Sequence, residues 1–271
     1  MATRTLSRRP NGAEAALRRL FRNRLSGILS LIALIAIWQA IVTVVQPNPL
    51  LFPGPGAVAR EFVIAWQDGL LWPAVTSSMY AIAVGLALAL VAGIPVGLGI
   101  GMSPTADLIT SPYLWGFFSM PRIALAPLMV LWFGYGDTTK IWLVFLSAVI
   151  PLILSCKEGV QTVDDGLIRA ARSFGAGRMA MFSKVIAPST LPSIASGIRL
   201  GISRGFVGLL VIELTVGSGG IGTQVMRSMR SFNTARMFAF ALVLVLIALT
   251  LITLSRRLEV FASRWREEVS V

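Results

Sequence analysis

The chain has 271 residues, of which 55 % are hydrophobic and only 13 % charged, about half the charged share of a soluble domain. So few charges cannot cover a water-soluble fold of this length, which points to one membrane domain with lipid as its solvent. The net charge of +12 comes almost wholly from arginines at the ends of apolar runs, where they set membrane orientation rather than bind nucleic acid.

With no histidine and one cysteine, Cys156, the chain excludes an internal disulfide, a Cys/His metal cluster and histidine general-base catalysis. No cofactor is expected, and Cys156 reads as a packed, inert thiol. Residues 1–24 hold seven arginines against one acid, Glu14, and read as a cytoplasmic arm at the lipid surface. The first apolar run starts after residue 24 and is too long for the h-region of a signal peptide, so no cleavable leader is expected.

The first span is expected over 25–45, long enough to cross ~30 Å of hydrocarbon. Pro47, Pro49, Pro53 and Pro55 break the chain after it, and a short amphipathic helix is predicted over 56–66. The second span, 79–102, has no charge; Gly93 and Gly97 have the small-xxx-small spacing that lets helices approach closely in lipid. The third apolar region, 108–133, is interrupted by Ser119, Pro121, Arg122 and Pro127 and reads as a broken helix. The fourth span is placed at 138–156, the fifth at 194–216 and the sixth at 237–254. A membrane domain over 25–257 is thus followed by a cytoplasmic tail, 258–271.

Six spans put both termini on one side. The N-terminal arm, the 157–188 loop and the tail hold 16 of the 24 basic residues, and the opposite side holds 5. This asymmetry predicts cytoplasmic termini. Arg227, Arg230 and Arg236 on the opposite side run against it.

The 157–188 loop is too polar to lie in the membrane. Asp164 or Asp165 caps a helix over 166–174, Gly175 ends it with a positive φ, and a second helix over 177–186 is expected to stop at Pro188. The plain alternative is a connecting loop without a role. Arg122, Arg204 and Glu213 lie inside apolar segments, where ionisable side chains face a cavity or a partner. The competing readings are an internal ion pair or snorkelling to the interface; a direct Arg204–Glu213 pair is disfavoured by nine residues of separation, about 13 Å along a helix. Arg199, nearer the cytoplasmic end, reads as snorkelling or touching the loop. The run Gly217-Ser218-Gly219-Gly220-Ile221-Gly222 satisfies G-x-G-x-x-G, but a charged membrane helix precedes it and no acid follows before Leu254, so a dinucleotide site is rejected in favour of a flexible outer turn. No G-x-x-x-x-G-K-[ST] occurs, so ATP is not expected to bind by that route.

The run Arg169-Ala170-Ala171-Arg172-Ser173-Phe174-Gly175-Ala176, followed by Val185, Pro188, Leu191-Pro192 and Gly197, resembles the Glu-Ala-Ala loop of binding-protein-dependent import permeases. It departs from that pattern at Arg169, where the family has glutamate. Further motifs resemble the nitrate/sulfonate/taurine branch: Pro53-Gly54-Pro55, Pro121 to Leu128, Leu131-Trp132-Phe133-Gly134, Lys140, Gly197-Ile198-Arg199-Leu200, Glu213 and Gly219 to Gly222. The resemblance spans about residues 49–257. It implies an all-α integral membrane protein with the type I importer permease (MetI-like) fold and no enzymatic activity of its own. It implies three partners: an ATP-binding-cassette ATPase subunit, an extracytoplasmic substrate-binding protein and a second permease copy. It implies that Arg169, Ala170, Ala171, Arg172, Gly175 and Ala176 form a coupling helix docking on the ATPase. Arg122, Arg204 and Glu213 are expected along the translocation pathway. The branch moves small oxyanions and organic sulfonates, and some neutral or cationic vitamin precursors. An ion-driven secondary transporter would carry acidic or histidine proton relays and clear repeats, and a membrane enzyme would need a clustered reactive set. Of possible relay groups only Glu213 qualifies, which leaves the secondary transporter as the alternative reading, and the scattered acids of a chain without histidine do not offer the reactive set.

Overall fold

The computed structural model describes residues 12–262; residues 1–11 of the basic arm and 263–271 of the tail lie outside the described residues. Every regular element among the described residues is helical: α1 (Gly12–Val45), α2 (Pro55–Gln67), α3 (Leu71–Gly101), α4 (Pro104–Ser119), a 3₁₀ turn (Arg122–Leu125), α5 (Ala126–Phe133), α6 (Asp137–Gln161), α7 (Asp165–Ser173), α8 (Arg178–Met181), a π turn (Phe182–Ile186), α9 (Ala187–Thr215), α10 (Ile221–Arg230) and α11 (Thr234–Ala262). Among these residues four continuous helices are long and apolar enough to cross a membrane, and α4 with α5 forms a bent pair that passes the same test together. Leu29–Val45 adds a shorter apolar helix.

The core is organised around α6, the most enclosed of these helices. Its neighbours α3 and α9 present glycines to it, because in lipid close packing rather than hydrophobic exclusion holds helices together. On α3, Gly85 meets Val144, Gly93 meets Leu152, Gly97 meets Cys156 and Gly101 meets Val160. Positions rise together, so α3 and α6 run parallel. On α9 the order reverses: Gly197 meets Ser155, Gly201 meets Ala148 and Gly208 meets Ser147. These two helices are antiparallel. The Gly93/Gly97 spacing is therefore a packing seam. Gly99, off that face, meets open space. A Cβ on Gly97 would stand 2.6 Å from Cys156 Cβ and 2.7 Å from the Ile153 carbonyl oxygen, so the helices would have to separate. Gly97→Leu should cost about 1–3 kcal/mol by overpacking, read as a fall of several degrees in the thermal midpoint of the purified protein, whereas Gly99→Leu should leave the midpoint unchanged.

The parallel pairing of α3 and α6 has a topological result. α3 ends where α6 also ends, so the chain between them must travel back across the bundle, and α4 with α5 makes that crossing despite its 88° bend. The break has a local cause. Met120, before Pro121, is extended (ψ 130), as a residue preceding proline prefers, and Pro121 has no N–H to continue the ladder. The 3₁₀ turn Arg122–Leu125 then re-aims the chain into α5.

α9 and α11 are antiparallel: Arg199 Nε lies 3.0 Å from Glu259 Oε2, which pairs the start of one with the end of the other. Arg199 thus finds α11 rather than the loop. Trp38 of α1 packs on Phe52 and Phe238, with centroids 6.2 and 6.0 Å away. α1 accordingly enters from the side on which α11 leaves, the side that also carries α7.

Several boundaries differ from expectation, α1 among them, since its helix already runs from Gly12. Pro188 does not stop the second elbow helix; α8, the π turn and α9 form one continuous run, Arg178–Thr215. A proline ring clashes with the carbonyl four residues back, and widening the preceding turn to a π turn relieves this. α3 begins at Leu71, so Trp72 is helical. α6 continues to Gln161, which puts Lys157 inside a helix rather than in the loop. α11 begins at Thr234 and continues past Leu254. The three arginines after residue 218 also gain a physical account. Arg227 and Arg230 occupy the last turn of α10, where the helix dipole favours cations. Arg236 is drawn to acids of the α2 region, 2.8 Å from Glu61 and 3.6 Å from Asp68. Burial raises the pKa of Glu61, but the hydrogen bonds from Arg236 and Asn233 outweigh it and hold that carboxyl below its ordinary range.

Candidate functional site

α7 forms a polar helix beyond the end of α6, resting on α8 and the π turn. Asp164 caps it, its carboxylate accepting the Gly166 N–H at 2.6 Å. At the other end the Ala176 N–H donates to the Ala171 carbonyl at 3.0 Å and the Gly175 N–H to the Arg172 carbonyl at 2.9 Å. This bond pair is a Schellman motif; it requires the φ of +74° at Gly175. No residue of α7 is buried. Arg169, Ala170 and Arg172 are exposed, Ala171 and Ala176 half-buried. Phe174 is 91 % and Met179 78 % exposed, so the elbow presents apolar side chains as well as charge to whatever lies outside the bundle. Arg169 makes no ion pair among the described residues.

Arg122 and Arg204 come together. The turn carrying Arg122 packs on α9, and the Arg204 guanidinium carbon lies 5.6 Å from the ring centroid of Phe118, at the end of α4. The two positive charges are close enough to repel each other. Among the described residues neither forms an ion pair, and the buried Nη2 of Arg122 has no hydrogen-bond partner. Two guanidiniums on neighbouring elements thus stand without an acid beside them among the described residues.

Glu213 stands apart from them at the far end of α9, wholly buried. Ser78 Oγ donates to its Oε1 at 2.7 Å and the Gly222 N–H to its Oε2 at 2.8 Å. The same Ser78 oxygen accepts the Ile221 N–H at 3.0 Å, and Thr223 Oγ1 donates to the Glu213 carbonyl at 3.2 Å. The carboxylate therefore ties the glycine-rich turn to α3 and α9. Gly220, with φ +93°, sits so close to it that a Cβ would overlap the carboxylate. The literal G-x-G-x-x-G is a buried knot.

Two further polar groups bridge apolar helices. On the far side, Lys140 is fully buried, paired with Asp137 at 2.5 Å, and donates to Ser77 Oγ, which in turn donates to Asp137 Oδ1 at 2.9 Å. On the α7 side, Lys157 pairs with Asp107 at 2.6 Å.

The family described as binding-protein-dependent transport system inner membrane component matches residues 89–266. The chain belongs to this family. It is the membrane-spanning permease subunit of an ATP-binding-cassette importer. Similar relatives include the taurine transport system permease protein of Escherichia coli (strain K12), 34 % identical over 89 % of this chain and 89 % of that one. The putative aliphatic sulfonates transport permease protein of Bacillus subtilis (strain 168) is 31 % identical over 94 % of this chain and 93 % of the other. The fold is shared with an inward-facing methionine transporter structure, MetNI, at a TM-score of 0.63 and 22 % identity, over 73 % of this chain and 98 % of that one.

Reading the permease from sequence missed Ser77, Ser78 and Asp137, and it missed the pairing of Asp107 with Lys157. One signal was available: a lone acid or base in an apolar helix needs a partner in lipid, and Asp137–Lys140 has the i,i+3 spacing of a local pair.

Proposed function

We propose that this permease passes a small anion of the sulfonate class, delivered by an extracytoplasmic binding protein and driven by ATP hydrolysed on a separate subunit. The observation that carries the anionic substrate is the Arg122–Arg204 pair, placed at the break of a bent span without an acid beside it. A sulfonate offers three acceptor oxygens, and guanidinium forks match planar pairs of such oxygens. The names of the taurine and sulfonate relatives support the same class. A riboflavin permease of Chloroflexus aurantiacus is 31 % identical over 88 % of both chains, which keeps a vitamin cargo as a second reading; two uncompensated cations argue against a cationic one. Uptake of labelled taurine by cells making the whole transporter should be competed by alkanesulfonates and not by riboflavin. Riboflavin uptake with no competition by sulfonates would contradict the anion reading.

The exposed α7 elbow docks in a cleft of the ATPase, which closes on ATP and moves α7 with it. A second permease copy packs against this one, supported by apolar side chains left exposed on α4 and α5, among them Trp115, Leu131 and Trp132. The chain crosses the inner membrane six times, with both termini and α7 in the cytoplasm. Support comes from the basic asymmetry and from the helix directions, which bring α1 in and α11 out on the α7 side. Reporter fusions at Val271 and beside Asp165 should both report a cytoplasmic location. An external signal at either would overturn the six-span arrangement.

A further inference from the structure

α4 is lightly anchored, packing on α3 and α6 along one face. Leu114 is its one buried residue, and its outer face, with Leu108, Ile109, Tyr113 and Trp115, is exposed. Yet it leads directly into the turn that carries Arg122. At its base two side chains, Asp107 and Ser111, tie it to the end of α6. The Asp107 carboxylate pairs with Lys157 Nζ at 2.6 Å, accepts Ser111 Oγ at 2.5 Å and accepts Gln161 Nε2 on its other oxygen at 2.7 Å. Lys157 also donates to Ser111 Oγ at 2.6 Å. Lys157 is 8 % and Asp107 26 % exposed, so the group is partly shielded from water, where a charge-assisted bond is worth more than on an open surface.

The position of this tie gives it meaning. Gln161 is the last residue of α6, and Thr162, Val163 and Asp164 alone separate it from α7. α7 itself leans on α8 and the π turn, at the root of α9. From the α3–α4 corner it is set off by a cleft of about 1150 Å³, lined by Ser103, Pro104, Gln161, Asp165 and Arg172 among others. A push on α7 therefore reaches α9, and with it Arg204, through packing. It reaches α4, and with it Arg122, through the hydrogen-bonded end of α6.

We infer that Asp107 is a positioning residue for transport: with Lys157 and Gln161 it fastens the base of the bent span to the root of the coupling loop, so that displacement of α7 moves Arg122 and Arg204 together. This rests on the reading of α7 as the ATPase contact. The Asp107 carboxylate is engaged by Lys157, Ser111 and Gln161 within the chain, so its loss should uncouple rather than disassemble. Asp107→Asn and Lys157→Met are the direct variants, studied in the complete complex of permease, co-purified ATPase and binding protein in lipid vesicles. A partly shielded charge-assisted bond is worth about tenfold in an equilibrium, so solute moved per ATP hydrolysed should fall roughly tenfold while assembly and ATP hydrolysis change less than about twofold. The exchanged pair Asp107→Lys with Lys157→Asp should recover much of the ratio. Gln161→Ala removes a neutral donor at the exposed rim, is compatible with folding whatever the charged variants do, and should lower the ratio by about two- to threefold. An unchanged ratio in Asp107→Asn and Gln161→Ala would overturn the inference. So would loss of assembly in step with transport, since that assigns Asp107 to docking. The underlying reading has its own control: Ala171→Glu assembling normally with the ATPase would remove the docking role of α7, independently of Asp107.

Discussion

Ala171→Glu is expected to abolish transport while leaving the protein inserted in the membrane at normal levels. Ala171 lies in the last turn of a helix with no buried residue, flanked by exposed Ala170 and Arg172. Within the chain a glutamate there costs little: the half-exposed helix position accepts it, and the unfavourable helix-dipole interaction is under about 1 kcal/mol. The cost falls on the complex: a carboxylate carried into a closed protein–protein contact without a partner loses several kcal/mol, and about 3 kcal/mol already weakens association more than a hundredfold. Co-purification of the ATPase and substrate-stimulated ATP hydrolysis should both be lost. Gly175→Val acts by geometry instead. Its φ of +74° is costly for a β-branched residue, about 1–2 kcal/mol, and distortion of the Schellman bonds would tilt α7, so coupling should fall with assembly partly kept. Arg169 adds a specificity element. It stands where the family has glutamate, so the matching ATPase should present an acid, and Arg169→Glu should weaken the native pairing.

The second large effect is expected at Arg122. Arg122→Ala should lower anion transport by two orders of magnitude or so, with the protein still inserted, because it removes one of two adjacent guanidiniums and about 3 kcal/mol of charge-assisted bonding to the solute. Arg204→Ala should do the same to a smaller degree, since Arg204 already rests over Phe118 and is exposed within the single chain. Stability offers an independent check. Removing one of two repelling cations, with Nη2 of Arg122 left unbonded, should leave the thermal midpoint equal to or above that of the parent. Transport kept at the parental rate in Arg122→Ala would reduce Arg122 to a structural role.

Much of this was legible in the sequence, and the reasons are physical. Segments whose structure is dictated locally were read well: a cap at Asp164 or Asp165, a helix expected over 166–174 and found over Asp165–Ser173, and the Gly175 stop depend on neighbours a few residues away, and the Pro121 break follows from a missing N–H. Helix ends set by tertiary packing were not. Pro188 reads as a stop in isolation, but the π turn before it absorbs the clash, and no pattern of hydrophobicity announces that. Glu213 shows the same limit at the site. An acid in an apolar span is rightly read as having a job, but whether it faces a pathway or pins a turn depends on Ser78, 135 positions away. The α9 glycines at 197, 201 and 205 repeat every four residues and mark a packing seam as clearly as those of α3.

The central claim is that solute movement through this chain is powered by a separate ATPase acting on α7. The most direct measurement places the permease, its co-purified ATPase and its binding protein in lipid vesicles and follows labelled taurine under two drives, ATP supplied on the α7 side or an imposed proton or sodium gradient without nucleotide. The account predicts accumulation with ATP alone, lost in Ala171→Glu and in Arg122→Ala. Accumulation driven by the ion gradient in the absence of ATP, and indifferent to Ala171→Glu, would contradict it.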